Sequence, residues 1–279
     1  MLLAVNRSKG SDEIFLPPVG ANTRDEMWLW YRNVSSELTL GYLADSDNDF
    51  VRDYYEEGGL LRPRKVDFFR AHFSESFTAA SNYLLSAMAR PRILDLGCGV
   101  GTQALNLAIR GARVIAVDLD RQALDIFAKR ADYYSGRLRR TLDIEIICGN
   151  AHEVEYGPHA PIDGLYSMFA FNMMQPSGAL LARILPALSQ HARIAVIDGN
   201  NRSWLGRFVP TRRRNVWSPI EFANQLKRLG FAVDAHDGGI ALPPFVWRSP
   251  LGSAIRWLDH GLRRSWFFAI SHQILAQRT

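Results

Sequence analysis

The sequence has 279 residues, of which 47% are hydrophobic and 22% charged, as in ordinary soluble globular proteins. A chain of this length buries enough apolar surface to fold without disulfides or a structural metal, and its two cysteines cannot form a disulfide framework. No apolar run approaches the roughly 18 residues of a membrane-spanning helix, and the initial MLLAV is too short for a secretory signal. Secreted, fibrous and membrane-spanning classes are therefore excluded, and we expect a cytoplasmic protein.

The net charge of +5 results from 33 basic and 28 acidic residues that are interspersed along most of the chain. Short arginine runs such as Arg212, Arg213 and Arg214 are usually solvated, so a nucleic-acid partner is not favoured. The acidic run at residues 45–49 resembles a calcium loop, but Phe50 stands where such a loop needs glycine. We expect a solvated acidic loop there and no metal site.

Residues 1–62 are predicted to form an irregular, partly helical lid, and residues 63–279 the main domain. Apolar residues recur at helical spacing between residues 63 and 88, which predicts a helix that ends before Pro91. From about residue 93 to residue 192, short apolar strands alternate with helical segments. This alternation predicts an α/β domain with a parallel sheet covered by helices.

Five apolar runs predict the first strands, at residues 92–96, 113–117, 144–148, 164–169 and 193–197. The helices between the first three are predicted at residues 102–110 and 121–134. Residues 199–217 are too many for a simple turn and predict a lid-like insertion. A capped helix starts at Ser218, and the last two strands are predicted at residues 231–235 and 266–275.

A glycine-rich turn follows the first predicted strand, in the segment ILDLGCGVG. Its glycines are Gly97, Gly99 and Gly101. Glycine lets the backbone turn tightly and approach a ligand where any Cβ would intrude. Asp95 places a carboxylate beside the turn, and Asp118 ends the second strand, where an acid can accept hydrogen bonds from both hydroxyls of a ribose. The combination indicates a nucleoside-containing cofactor at the strand ends.

Two classes of cofactor fit this arrangement. The dinucleotide fingerprint needs Gly or Ala where the chain has Thr102, and its turn holds a pyrophosphate that Asp95 would repel. A cationic ligand with an amino group suits Asp95 better. A nicotinamide-dependent oxidoreductase and a non-catalytic cofactor-binding or interaction module remain the alternative functions.

The stretch resembles the class I S-adenosylmethionine-dependent methyltransferases, whose first motif is apolar-apolar-Asp-apolar-Gly-x-Gly-x-Gly. Over residues 64–278 the resemblance implies a doubly wound, seven-stranded Rossmann-like sheet, mostly parallel with an antiparallel C-terminal strand, and a helical N-terminal attachment. It implies S-adenosylmethionine as the cofactor and methyl transfer by in-line displacement. The segments GNAHEV and IDGLYSMF are similar to the family's adenine segment and fourth strand. The cofactor-binding set that follows is Asp95, Gly97, Cys98, Gly99, Gly101, Asp118, Leu119, Asn150, Ala151, Ser167, Met168 and Phe169.

The acceptor is less defined. Motifs of nucleic-acid, glutamine and magnesium-dependent catechol methyltransferases are absent, so the chain is similar to the ubiquinone-pathway, natural-product and glycan enzymes that methylate small molecules. Aromatic residues in the attachments either pack a lid or hold an apolar or lipid- or glycan-linked acceptor: Trp28, Trp30, Tyr31, Tyr54, Tyr55, Trp204, Phe208 and Trp217. Arg212, Arg213 and Arg214 can attract an anion on it. For a hydroxyl acceptor, His72 is the first candidate base and His152 the second, although both can be structural.

Overall fold

Seven strands form one sheet in the computed structural model of the protein, which describes residues 14–62, 65–200, 203–204, 218–242, 246–248, 252–262, 265 and 267–279. The strands are β1 (Arg92–Leu96), β2 (Arg113–Asp118), β3 (Ile144–Cys148), β4 (Ile162–Met168), β5 (Leu188–Gly199), β6 (Phe231–Ile240) and β7 (Ser271–Arg278). Their order across the sheet is β3–β2–β1–β4–β5–β7–β6. The first five strands run parallel, and β7 is antiparallel to both of its neighbours. The predicted mostly parallel sheet with an antiparallel C-terminal strand is confirmed.

Helices cover both faces of the sheet. They are α1 (Arg24–Glu37), α2 (Asp45–Gly58), α3 (Val66–Phe69), α4 (Glu75–Leu85), α5 (Thr102–Ile109), α6 (Arg121–Leu138), α7 (Ser177–Ile184), α8 (Pro219–Arg228) and α9 (Gly252–Leu262). A π-helical turn, Arg70–Ser74, joins α3 to α4. Successive residues of β1 point to opposite faces: Ile93 packs into the core with α1, α4, α5 and α6, whereas Leu94 packs into the core with α7 and α8. Burial of both faces explains why the strands are continuously apolar.

The N-terminal segment is more regular than the sequence suggested. The stretch before residue 60, predicted to be mostly irregular, contains α1 and α2, and the acidic run expected to be a solvated loop forms the first turn of α2. Acidic side chains in a first helical turn interact favourably with the helix dipole, and Asp47 is also paired with Lys129 at 2.6 Å. Thr23 and Glu26 form a capping box at the start of α1.

Other boundaries differ by a few residues. The fourth strand ends at Met168 because Phe169 adopts a left-handed φ of 57°, and the fifth extends to residues 188–199. The last strand starts at residue 271, later than predicted. Residues 205–217, which include most of the expected lid-like insertion, lie outside the described residues.

The glycine turn occupies the switch point of the sheet. The chain adds β2 and β3 on one side of β1 and then β4 on the other, so the connections diverge at the carboxyl end of β1. Ligands of open α/β sheets bind in the crevice at such a point. None of the helices in the described part of the chain is long and apolar enough to cross a membrane.

Candidate functional site

A cavity of about 1140 Å³ opens at the carboxyl ends of β1, β2 and β4, at the switch point. Most of the residues predicted from the sequence line it: Asp95, Gly97, Cys98, Gly99, Asp118, Leu119, Asn150, Ala151, His152, Met168 and Phe169. Gly101, Ser167 and His72 belong to the predicted set but are not part of the lining. The strand ends therefore bring together side chains that are up to 74 positions apart, from Asp95 to Phe169.

The three glycines of the turn all have positive φ, between 51° and 76°. A Cβ on Gly97 would lie 2.2 Å from the Ala170 Cβ, and a Cβ on Gly99 would lie 2.6 Å from the Tyr54 hydroxyl oxygen. A Cβ on Gly101 would lie 2.1 Å from the Phe127 ring. A side chain at Gly97 or Gly99 would therefore clash with other residues that line the cavity, whereas the absence of a side chain at Gly101 allows the turn to pack on α6.

Asp118 fixes the turn from the neighbouring strand. Its carboxylate accepts hydrogen bonds from the backbone N–H of Gly99 at 2.8 Å and from that of Asp120 at 3.0 Å. Each oxygen accepts one of these bonds and retains a lone pair, and Asp118 lines the cavity. The carboxylate therefore orders the turn and can still accept bonds from a ligand.

Asp95 lies at the end of β1 with only 1% of its surface exposed. Its Oδ2 atom has no hydrogen-bond partner within the described part of the chain. Burial, together with the nearby Asp118 charge, raises the pKa of Asp95 to about 8. An unpaired buried carboxyl is unfavourable, so this position is suited to a ligand that carries a positive charge.

The far end of the cavity is formed by the turn after β3. The Asn150 side chain accepts a hydrogen bond from the His152 N–H at 3.0 Å and donates one to Glu153 at 3.3 Å. Leu119 presents an apolar side chain that is 71% exposed beside this turn. A polar edge next to an exposed apolar side chain fits a flat heterocycle.

The surroundings of Cys98 and Ser167 indicate structural roles for both side chains. Burial and the charges of Asp95 and Asp118 raise the pKa of the Cys98 thiol well above its ordinary value. The thiol stays protonated at neutral pH, as expected for a small residue in a crowded turn. The buried Ser167 hydroxyl donates to the Leu96 carbonyl at 2.8 Å and ties β4 to the start of the turn.

The two candidate bases have different positions. His72, in the π-helical turn, is buried against the rings of Phe73 and Phe169, and its Nδ1 lies 3.3 Å from the Ser271 hydroxyl. Burial lowers the pKa of His72 to about 3. His152 lines the cavity, with its Nε2 atom 3.3 Å from the Met174 carbonyl. The geometry therefore retains His152 as a base candidate and sets His72 outside the cavity.

Sequence reasoning left the role of some cavity-lining residues open and did not consider others. Tyr31, Tyr54 and Tyr55 of the predicted aromatic lid reach the cavity from α1 and α2. Further lining residues were not singled out: Arg62, Lys65, Phe69, Phe73, Gln103, Tyr166, Met173, Met174 and Gln175. Helical periodicity placed Phe69 and Phe73 on one helix face, but only the folded structure shows that this face lines the cavity. Arg212, Arg213, Arg214, Phe208 and Trp217 lie outside the described residues.

Comparison with known families identifies the fold. Residues 93–191 match the family model described as "Methyltransferase domain". They contain the glycine turn, Asp95, Asp118 and the segment after β3 that is predicted to hold adenine. Residues 93–191 thus form a methyltransferase domain, and the fold of the chain is that of the class I S-adenosylmethionine-dependent methyltransferases. Such methyltransferases keep cofactor-binding residues at the carboxyl ends of the parallel strands, where the cavity of this chain lies.

Three proteins to which the chain is similar are named as methyltransferases. Cypemycin N-terminal methyltransferase of Streptomyces sp. is 41% identical over 64 residues, which are 23% of this chain and 23% of that protein. Magnesium protoporphyrin IX methyltransferase of Synechocystis PCC 6803, solved with S-adenosylhomocysteine, has a TM-score of 0.53 and 15% identity, covering 83% of this chain and 99% of that one. The plantazolicin methyltransferase BpumL, solved with a pentazolic desmethylPZN analogue and S-adenosylhomocysteine, has a TM-score of 0.51 and 16% identity, covering 92% and 98%.

The matched proteins establish the fold of the chain and not its acceptor. The chain spans between 23% and 59% of the length of the curated relatives that it matches. The solved structures are below 25% identity and so establish the fold alone. The alignment with BpumL covers 92% of this chain, more than the main domain, so the likeness of fold extends into the N-terminal segment.

Proposed function

We propose that the protein transfers a methyl group from S-adenosylmethionine to a small-molecule acceptor held in the cavity. The observation that carries this proposal is the pair of carboxylates beside the glycine turn. Asp95 is buried with an unpaired oxygen, and Asp118 is ordered by two backbone N–H groups with lone pairs remaining. A cation and a diol are the ligand groups that complete these two sites, and S-adenosylmethionine has both.

The remaining lining supports the same cofactor. Asp95 would take its amino group and Asp118 its ribose hydroxyls, while Asn150, the Ala151 backbone and Leu119 would hold the adenine. The glycines remove side chains where the nucleoside must approach the backbone. S-Adenosylmethionine supplies a methyl group that the positive sulfur already activates. The contribution of this chain is therefore to align the acceptor and exclude water.

Part of the cavity lining is apolar and aromatic. It contains Phe69, Phe73, Phe169, Met173 and Met174. Two cations, Arg62 and Lys65, also line the cavity. Arg62 has only a 3.4 Å contact with Glu56, and the Lys65 ammonium makes no hydrogen bond or ion pair with the described residues. These features support an apolar, ring-bearing acceptor that carries a carboxylate or phosphate.

The names of two similar proteins point to ring-containing molecules. The Synechocystis enzyme is named for magnesium protoporphyrin IX, and BpumL was solved with azole-containing desmethylPZN analogues. An N-, O- or C-methylation follows the same course in the cavity: the acceptor forms its new bond to the methyl carbon as the carbon–sulfur bond breaks. Where the acceptor is a hydroxyl, His152, which lines the cavity, is the proposed base for its proton.

The experiment that tests the proposal has two stages. Calorimetry with S-adenosylhomocysteine should give saturable binding with one site per chain, and NADH should give none. A cell extract incubated with the protein and S-adenosylmethionine labelled on the methyl group should then contain a newly labelled small molecule, identified by mass spectrometry. Binding without any labelled product would favour a non-catalytic cofactor-binding module, and NADH binding would favour an oxidoreductase.

Lys65→Ala refines the acceptor class once a product is known. The variant should raise the KM for an anionic acceptor and leave the affinity for S-adenosylhomocysteine unchanged. A Lys65→Ala variant that loses S-adenosylhomocysteine affinity instead would place the ammonium on the carboxylate of the cofactor.

A further inference from the structure

A fully buried arginine connects the glycine turn to the N-terminal segment. Arg130 of α6 is 0% exposed, and its guanidinium makes two parallel bonds to the Glu37 carboxylate, at 2.7 and 3.0 Å. The same guanidinium donates to the Val100 carbonyl and, at 2.7 Å, to the Thr102 hydroxyl. Val100 and Thr102 flank the last glycine of the turn. The guanidinium thus joins the end of α1 to the backbone of the turn.

The carboxylate at the other end of this pair is saturated with donors. In addition to Arg130, the hydroxyls of Tyr42 and Tyr134 donate to Glu37, at 2.6 and 2.8 Å. Burial favours a protonated Glu37, but the Arg130 charge and these hydrogen bonds outweigh it and lower the pKa of Glu37. The pair is therefore ionised, and both oxygens of the Glu37 carboxylate accept hydrogen bonds.

Further residues of α1 and α2 contact the same stretch of backbone. The Trp30 indole N–H donates to the Thr102 carbonyl at 3.0 Å, and the Tyr55 hydroxyl shares a hydrogen bond with the Thr102 hydroxyl. Tyr54 lies over Gly99, where its hydroxyl fills the space of a missing Cβ. The two N-terminal helices thus contribute three side chains to a turn that the sequence places more than 40 residues away.

General stability does not explain this arrangement. A buried ion pair often contributes no more than apolar residues of the same size, because desolvation offsets the attraction. What the guanidinium adds is a planar set of donors at fixed positions, one of which meets a backbone carbonyl of the turn. Glycine residues lose more conformational entropy on ordering than others. A turn with three of them therefore gains most from an external anchor.

We infer that Arg130 and Glu37 are positioning residues for the cofactor, because their ion pair holds the glycine turn in its binding conformation through the docked N-terminal helices. This inference rests on the proposed function. Docking of residues 24–58 and binding of the nucleoside then stabilise each other, and linkage requires the coupling to be equal in both directions. The N-terminal segment is accordingly part of the cofactor site and more than a cover for the acceptor.

The test separates positioning from stability with a double variant. Single substitutions leave one buried charge unpaired and can unfold the chain, so Glu37→Leu is combined with Arg130→Met, which removes both charges and keeps the volume. Arg110→Met is the matched control. Arg110 is also buried at 3% exposure and anchors N-terminal residues through the Gly20 carbonyl at 2.6 Å, but it does not contact the turn.

The double variant should remain folded, with a thermal midpoint close to that of the wild type. It should bind S-adenosylhomocysteine at least about tenfold more weakly, equivalent to about 1.4 kcal/mol. In the free protein, amides of residues 97–102 should exchange hydrogen faster than in the wild type. Arg110→Met should leave both the affinity and these exchange rates unchanged. In the wild type, S-adenosylhomocysteine should slow proteolysis within residues 24–58.

Wild-type affinity and exchange rates in a folded double variant would overturn the inference. An equal loss of affinity in Arg110→Met would do so too, because the effect would then be one of general stability. If the wild type itself does not bind S-adenosylhomocysteine, the proposed function fails. The faster exchange of the turn in the ligand-free double variant still tests the positioning role in that case.

Discussion

Two buried carboxylates on either side of the glycine turn differ in what surrounds them. Asp95 and Glu37 are each only 1% exposed. Glu37 accepts two bonds from Arg130 and one each from two tyrosines, and its pKa is lowered. Asp95 has an unpaired oxygen among the described residues and a pKa raised to about 8. Burial alone does not distinguish the two acids.

Glu37 and Asp95 differ in whether the surrounding residues supply all of their hydrogen-bonding and ionic partners. The carboxylate of Glu37 has all the partners it needs within the chain, so it acts as part of the framework. The carboxylate of Asp95 faces a cavity and needs a cation that the described residues do not provide. Polar groups that the fold leaves unpaired indicate where ligands bind. At this turn the paired acid, Glu37, helps to hold the backbone, and the unpaired acid, Asp95, lies beside it and faces the cavity.

Arg130→Ala should have the largest effect, at the paired side of the comparison. The substitution leaves the Glu37 charge buried without its cation, and we expect the free energy of unfolding to fall by about 3–5 kcal/mol. Urea denaturation followed by circular dichroism measures this. Arg52→Ala, which removes the exposed ion pair with Asp49, should change it by less than about 1 kcal/mol. If Arg130→Ala and Arg52→Ala lowered the free energy of unfolding equally, the buried ion pair would contribute no more to stability than the exposed one.

Asp118→Ala tests the ligand-binding side. Loss of the carboxylate leaves ribose hydroxyls without an acceptor and should weaken binding of S-adenosylhomocysteine by about 1–3 kcal/mol in calorimetry. Asp125→Ala, at an exposed position of α6, is the control and should bind as the wild type does. Unchanged binding in Asp118→Ala would show that the nucleoside lies elsewhere.

Asp95→Asn sharpens the comparison through pH. The pKa of Asp95 is about 8 in the folded protein against an ordinary value of 3.8, so the folded state holds a proton that the unfolded state releases between these values. The contribution of Asp95 to the free energy of unfolding is fully present below about pH 4. It falls as the pH rises, by up to about 1.4 kcal/mol per pH unit, until about pH 8. Chemical unfolding at several pH values should show a flatter profile in Asp95→Asn. An identical slope in the two proteins would contradict the assignment.

Tyr42→Phe should have the smallest effect. It removes one hydrogen bond to Glu37 and leaves Arg130 in place, so we expect a loss of about 0.5–1.5 kcal/mol in unfolding free energy. Tyr133→Phe is the control, since that ring stacks on Tyr42 at 4.3 Å. The control should stay within a few tenths of a kcal/mol of the wild type. A larger loss in Tyr133→Phe than in Tyr42→Phe would assign the contribution to stacking.

The parts of the fold that the sequence predicted are those with local signals. The first strand, the glycine turn and Asp118 lie within 27 consecutive residues, and the requirement for positive φ at three glycines is visible in the residue types alone. The seven-stranded, mostly parallel sheet with an antiparallel C-terminal strand followed from the family resemblance, whereas the order of its strands came from the structure. By contrast, α2 was missed because its acidic first turn has the composition of a solvated loop, although acidic residues also suit the first turn of a helix.

The parts of the site that were missed depend on contacts between distant residues. Arg130 and Glu37 are 93 positions apart, and nothing in either local sequence marks them as a pair. His72 was chosen because its helix precedes the first strand, but the π-helical turn and the Phe169 ring place it outside the cavity. Tyr54 was noted as one aromatic residue among several, and its position over Gly99 became apparent only from the packing of α2.

Proton release on binding is the most direct test of the account. Calorimetry with S-adenosylhomocysteine near pH 7, in two buffers of different ionisation enthalpy, counts the protons released when the ligand binds. Because Asp95 is protonated in the free protein and must ionise to accept the amino group, the wild type should release close to one proton and Asp95→Asn close to none. The same proton count in both proteins, or no binding to the wild type, would contradict it.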